Sequence, residues 1–201
     1  TSDSHDLERP CRPVADACVP DRAAIELAAT RFLGWIQQTP PAFSAVKVDG
    51  RRAYKLARAG RPVDLKPRPV RVDSLEIVDY QYPVLRLAIR CGRGTYVRSL
   101  GRDLAGALGT ECVMTELRRV AVGTIQVEHA CRLEDVSCEN WSQYRLDPQQ
   151  FLSEVPRLEC DAEQLAGIRC GKTLEVDRDV PGEWLAAFDG DRRLLAMLSR
   201  G

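Results

Sequence analysis

The sequence predicts an α+β fold, and three observations carry that prediction. Alternating stretches read as half-buried strands; in the clearest, Leu85, Leu87, Ile89 and Cys91 alternate with Arg86, Ala88 and Arg90. Helically spaced segments stand between such stretches, as with Leu100, Leu104, Ala107 and Leu108. The two kinds of segment follow one another up to about Asp135 without a regular βαβ rhythm, which disfavours a doubly wound parallel sheet.

Taken in order, residues 1–20 hold Pro10, Pro13 and Pro20 and read as loop, with one short strand around Val14. Asp21 is a good N-cap for a helix running to about Leu33, with Ile25, Ala28, Ala29 and Phe32 on its apolar face and Gly34 stopping it. The double proline Pro40-Pro41 forces an extended approach to a strand from Ser44 to Val48. A helix is expected from Arg51 to Ala59, with Arg51, Arg52, Lys55 and Arg58 on its outer face. Val70 to Val78 reads as a strand whose alternation slips near Ser74, the mark of a bulge. A further strand region is expected over Met114 to Gly123 and on through Ile125 and Val127. Ser137 to Pro156 is polar and irregular. The last stretch offers a short helix (Ala162 to Arg169), a strand-like Thr173 to Val176, and two apolar runs flanking Asp189-Gly190-Asp191, a hairpin signal.

Apolar content of 44% and charged content of 29% over 201 residues describe a globular chain able to bury a real core, not a disordered one. No apolar run approaches the length that crosses a bilayer. The eight cysteines lack Cys-x-x-Cys spacing, and His5 and His129 are not placed to complete a zinc site. They read as thiols in a reducing, cytoplasmic setting, with no metal expected. Net charge is zero, yet it is unevenly placed. Lys47 to Arg71 holds nine Lys or Arg against two Asp, and Arg86 to Arg102 holds five Arg and no acid. Two such basic segments on an acidic remainder point to a polyanion-facing surface, although a basic helix face is often simply solvated.

Between the Leu85–Cys91 strand and the helix after it lies Gly92-Arg93-Gly94-Thr95-Tyr96-Val97-Arg98-Ser99. Glycines there let backbone approach a ligand closely, and the helix N-terminus presents free N–H groups. An ordinary strand-to-helix loop is the competing reading.

Three segments together resemble the TruB-type tRNA pseudouridine synthases: Pro40-Pro41-Ala42-Phe43-Ser44-Ala45-Val46-Lys47-Val48-Asp49-Gly50-Arg51-Arg52-Ala53-Tyr54 with Ala57 to Gly60; Gly94-Thr95-Tyr96-Val97-Arg98; and Leu117-Arg118-Arg119-Val120-Ala121-Val122-Gly123. Thr1-Ser2-Asp3 is similar to a short upstream motif of the same family. The resemblance implies the second half of a mixed, mainly antiparallel sheet with flanking helices over residues 1–140, a linker over 141–155, and a small β-rich, PUA-like RNA-binding domain over 156–201. It implies isomerisation of a T-loop uridine of tRNA (position 55) to pseudouridine by base flipping, without cofactor, in a protein monomeric at full length. Arg98 matches the arginine that pairs with the family's catalytic aspartate, and its planar fork suits a carboxylate. Tyr96 and Leu117 match residues lining the uracil pocket. Lys47, Arg51, Arg52, Arg58, Arg93 and Arg118 are assigned to RNA contact. Plain core packing is the alternative for Tyr96 and Leu117, and a surface salt bridge for Arg98.

One departure counts against activity. The family's catalytic aspartate sits in a Gly-x-Leu-Asp motif upstream of the matched region, and the 201 residues contain none. Asp103, on the helix after the turn, is rejected as a substitute. The expectation is therefore a C-terminal portion of a synthase, inactive alone, with a non-catalytic tRNA-binding module as the alternative.

Overall fold

The computed structural model describes residues 1–15, 17–48, 50–152, 155–176 and 182–199. They form two units, Thr1–Leu117 and Arg118–Gly201.

The first unit opens with α1 (Arg22–Thr30), capped as expected by Asp21, whose carboxylate accepts from the Ala24 N–H at 2.7 Å. Ile25, Ala28 and Ala29 face inward. The helix ends three residues before the expected Leu33, because Phe32 and Leu33 donate to Ala29 and Thr30 in tighter turns. Gly34 then turns the chain at φ +78°, which favours glycine. β1 (Gly34–Gln38) pairs antiparallel with the long β4 (Arg68–Gln81), which pairs in turn with β5 (Val84–Cys91), giving a sheet of order β1-β4-β5. The bulge expected near Ser74 is present as a register shift between Val72 and Ser74, and a second shift falls between Ile77 and Asp79.

Two expectations need correcting in the segment between β1 and β4. The strand predicted from Ser44 is confined to β2 (Lys47–Val48). Arg51 and Arg52 are not helical but form β3 (Arg51–Arg52), paired with β2. Only then does α2 (Ala53–Arg58) begin. The reason is local: Ala53 N–H donates to Val46 and Tyr54 N–H to Ser44, so the chain closes a hairpin before it can start a helix. The strand expected around Val14 is also absent from the described residues. With prolines removing donors, the N-terminal segment pairs through a single bridge between Asp6 and Met114.

After β5 comes α3 (Val97–Ala107), whose Leu100 and Leu104 are buried, each burial stabilising by about 1.5–3 kcal/mol. Gly109, at φ +70°, follows the helix end as predicted.

The second unit holds a small hairpin, β6 (Ala121–Val122) with β7 (Ile125–Gln126), then short 3-10 turns and a one-turn α4 (Trp141–Tyr144) across the irregular stretch. Its sheet has the order β10-β9-β8, built from β8 (Arg157–Glu159), β9 (Trp184–Phe188) and β10 (Leu194–Ser199). α5 (Ala162–Arg169) spans the predicted residues and starts with a full capping box between Asp161 and Gln164. The predicted β9–β10 hairpin is present. The strand expected at Thr173–Val176 is not; β9 is flanked instead by β10 and by β8, which runs parallel to it. Ala186, Ala187 and Phe188 supply the buried centre of this unit.

Candidate functional site

The turn between β5 and α3 is held from below by the end of β4 and from the side by the segment following β1. Gly92 N–H donates to Arg71 O at 2.8 Å, and the Thr95 hydroxyl closes back on Gly92 O at 3.0 Å. Arg68, first residue of β4, donates through Nη2 to Gly94 O at 2.5 Å, and its guanidinium lies 5.1 Å from the centre of the Tyr96 ring. Tyr96 is half-buried and is the residue on which α3 starts.

Gln38 reaches the same residue from β1. Its Nε2 donates to Tyr96 O at 3.1 Å, and Tyr96 N–H donates to its Oε1 at 2.8 Å. One turn along α3, the Ser99 hydroxyl donates to Thr39 O at 2.9 Å and Arg102 Nη2 to the same carbonyl at 3.2 Å. The first and second motifs of the sequence are thereby locked into one body around buried Pro40 and Pro41.

Arg98 is the centre of this body. Its Nη1 donates to Asp6 Oδ2 at 2.5 Å and to Ser4 O at 3.3 Å, and its Nη2 donates to Phe43 O at 2.9 Å. The guanidinium is therefore not a solvent-facing charge: within these residues its carboxylate partner is Asp6. Sequence reading missed Asp6 and Gln38, and placed Arg68 only in a basic run facing phosphate. Asp6 lies just past the matched Thr1-Ser2-Asp3, whose Asp3 pairs with Arg12 instead. Burial raises the Asp6 carboxyl, but the nearby Ser4 hydroxyl, the Glu8 N–H and the Arg98 charge together hold it below the usual carboxylate value. His5 beside it is pushed below the usual histidine value, first by burial and then by the Arg102 and Arg98 charges. Asp103, rejected as a nucleophile, is paired with Arg102 at 2.7 Å.

Leu117 is 61% exposed at the end of the first unit. Arg118 is exposed and belongs to the second unit. The other basic residues lie in the first unit. Lys47 stands directly opposite Arg52 across the β2–β3 pair, with Arg51 beside it, and all three are exposed. Like charges placed opposite each other weaken a hairpin unless an anion sits between them. Arg52 also donates to Ala45 O at 2.6 Å. Arg93 is exposed at the turn, while Arg58 pairs with Glu8 and lies 5.5 Å from the Tyr54 ring centre. Among the described residues no group of His, Cys, Asp or Glu is arranged to hold a metal, and no helix is long and apolar enough to cross a membrane.

Comparison with known proteins adds an independent line. Residues 1–97 match the model described as TruB family pseudouridylate synthase (N terminal domain), and residues 98–155 match that of the tRNA pseudouridylate synthase B C-terminal domain. A tRNA pseudouridine synthase B of Rhodopirellula baltica is 36% identical over 203 residues, covering 94% of this chain and 58% of the relative. One from Ruegeria pomeroyi is 38% identical over 179 residues, covering 85% of this chain and 59% of the relative. The chain thus spans about six-tenths of the length of these curated relatives. Among solved structures, a crystal structure of a Cbf5-Nop10-Gar1 complex superposes with a TM-score of 0.62 at 22% identity, covering 91% of this chain and 56% of that one. At that identity the likeness shows the fold alone.

Proposed function

This chain belongs to the TruB family of pseudouridylate synthases, and on that premise we propose that it carries the pocket turn and RNA-facing hairpin of a tRNA pseudouridine(55) synthase. The substrate is the T-loop uridine of tRNA. The base is flipped from the loop, its glycosidic C–N bond breaks, the base turns, and a C–C bond to the same sugar replaces it. Tyr96 offers a ring face to the uracil and Leu117 an apolar wall. Arg98 holds and keeps ionised the aspartate that acts on the sugar–base bond. The β2–β3 hairpin, with Lys47, Arg51 and Arg52, contacts phosphates, joined by Arg58, Arg93 and Arg118. Residues 156–201 serve as the PUA-like RNA-binding end of a protein that is cytoplasmic and monomeric at full length.

The observation that carries this reading is the placement of Arg98: its fork makes three hydrogen bonds beside Tyr96, on the turn where the resemblance puts the active-site arginine. The experiment is direct. Pseudouridine at position 55 is measured in an unmodified tRNA transcript incubated with these 201 residues, and with the same chain extended by its in-frame upstream sequence. The extended protein is expected to form pseudouridine, and the 201 residues alone to bind tRNA without converting it. Conversion by the 201 residues alone would mean that the nucleophile lies within them. Absence of conversion by the extended protein would leave the second reading, a non-catalytic tRNA-binding module. That reading is favoured by one observation: among the described residues, the carboxylate engaging Arg98 is Asp6.

A further inference from the structure

Gln38 grips the pocket turn with both ends of its amide, although no motif chemistry assigns it a task. It is the last residue of β1 and is wholly buried, at 0% exposure. A buried amide is costly unless its donor and acceptor both find partners. Here both are met by one residue: Nε2 donates to Tyr96 O, and Oε1 accepts from Tyr96 N–H. The two bonds reproduce, with a side chain, what an antiparallel neighbour does with its backbone. They also fix which way round the amide lies, since the flipped orientation would set donor against donor.

We propose that Gln38 is a positioning residue of the pocket turn. By pinning the Tyr96 backbone on both sides, it sets the direction of the Tyr96 ring and the start of α3, and hence the place of Arg98 two residues on. The proposal rests on the functional reading above. Being wholly buried, Gln38 touches no substrate, so its action runs through Tyr96. The fit is specific to this side chain. Asn is too short to span the gap, and Leu fills the space but leaves the Tyr96 N–H and carbonyl unanswered. Ionised Glu would set a carboxylate against that carbonyl. In the same register, Arg68 faces Gln38 across β1 and β4 and holds the neighbouring Gly94 carbonyl, so the turn is gripped by two residues of one strand pair.

The test uses the protein made from the complete reading frame, with Gln38→Leu, Gln38→Glu and Ile25→Ala. Ile25 is buried on α1 and serves as a control for lost stability alone. Gln38→Leu is expected to lower the single-turnover rate at saturating tRNA by about tenfold or more, since small misplacements of reacting groups cost that much. Its dissociation constant for tRNA should stay within about twofold of the parent's. Ile25→Ala, assayed where both variants are folded, should keep the parental rate. Gln38→Glu should recover relative to the parent as pH is lowered from about 8 to about 6, because its protonated carboxyl can again donate to Tyr96 O. A second readout is independent of activity. Hydrogen exchange at the Tyr96 amide should lose its protection in Gln38→Leu and keep it in Ile25→Ala.

If the parent forms no pseudouridine, the functional reading fails while the exchange measurement still decides whether the clamp exists. If the parent is active and Gln38→Leu matches its rate, or if the Tyr96 amide stays protected in that variant, the positioning role is wrong.

Discussion

Asp6 and Arg98, 92 residues apart in the chain, meet at 2.5 Å with both side chains less than one-fifth exposed. A charged hydrogen bond of this kind, screened from solvent, contributes more than a surface pair does. Asp6→Asn is expected to lower the stability of the first unit by about 1.5–3 kcal/mol. Arg98→Met should cost more, because the carbonyls of Ser4 and Phe43 lose their donor too. Native-state hydrogen exchange at buried Leu100 reads both effects, and the double variant should fall short of their sum. Strict additivity would mean that the two side chains do not interact in solution.

Stability of this unit should fall as pH falls, in two windows. His5 has a depressed value in the folded state, so the unfolded chain takes up its proton first. The His5 contribution is complete above 6.5 and is lost as pH drops below it. Asp6 is also depressed, so its contribution disappears only below about the ordinary carboxylate value of 3.8. His5→Asn should flatten the upper window while leaving the lower one. Asparagine suits the backbone there, since His5 sits at φ +57°. Melting temperatures measured from about pH 7 down to about pH 5 check this, and an unchanged slope in His5→Asn would rule His5 out.

The β2–β3 hairpin makes a separate prediction about RNA. Lys47→Ala and Arg51→Ala should each weaken tRNA binding and reduce the slope of log affinity against log salt by about 0.7 to 0.9, the loss of one phosphate contact. Lys47→Ala should not lower the melting temperature, because it relieves the Lys47–Arg52 opposition across the hairpin. Filter binding at several salt concentrations reads the slope. Slopes equal to the parent's would mean that these charges are merely solvated.

How much of this was legible in the sequence depends on which kind of force places each residue. The Asp21 cap, the bulge near Ser74 and the β9–β10 hairpin follow from local chemistry, and each was readable as such. Arg51 and Arg52 were misplaced onto a helix because apolar spacing cannot see that Ala53 and Tyr54 donate back to Val46 and Ser44. β8 was missed for the same reason, being a three-residue strand defined only by its parallel partner. At the site, Arg98 and Tyr96 stood out through their motif. Gln38 and Asp6 did not, since a buried amide or carboxylate is recognised by the distant group that satisfies it.

Gly94 and Arg68 make the last prediction, which separates backbone strain from crowding. Gly94 sits at φ +86°, a conformation that a side chain rarely adopts. A methyl group added there would meet the Arg68 guanidinium at 3.5 Å, ordinary contact distance, so space is not the obstacle. Gly94→Ala should therefore destabilise the turn by about 1–2 kcal/mol through its backbone alone. Gly94→Asn should cost less, since asparagine tolerates positive φ better. Arg68→Met acts differently: it removes the donor to Gly94 O and the cation above Tyr96, a loss of about 1–2 kcal/mol. Because the obstacle is φ, shortening Arg68 should not rescue Gly94→Ala, and the double variant should be worse than either single one. Hydrogen exchange at Leu100, whose amide closes the first turn of α3 on Tyr96 O at 3.0 Å, reports on all four variants. Rescue of Gly94→Ala by Arg68→Met would show that crowding, not φ, sets the preference for glycine.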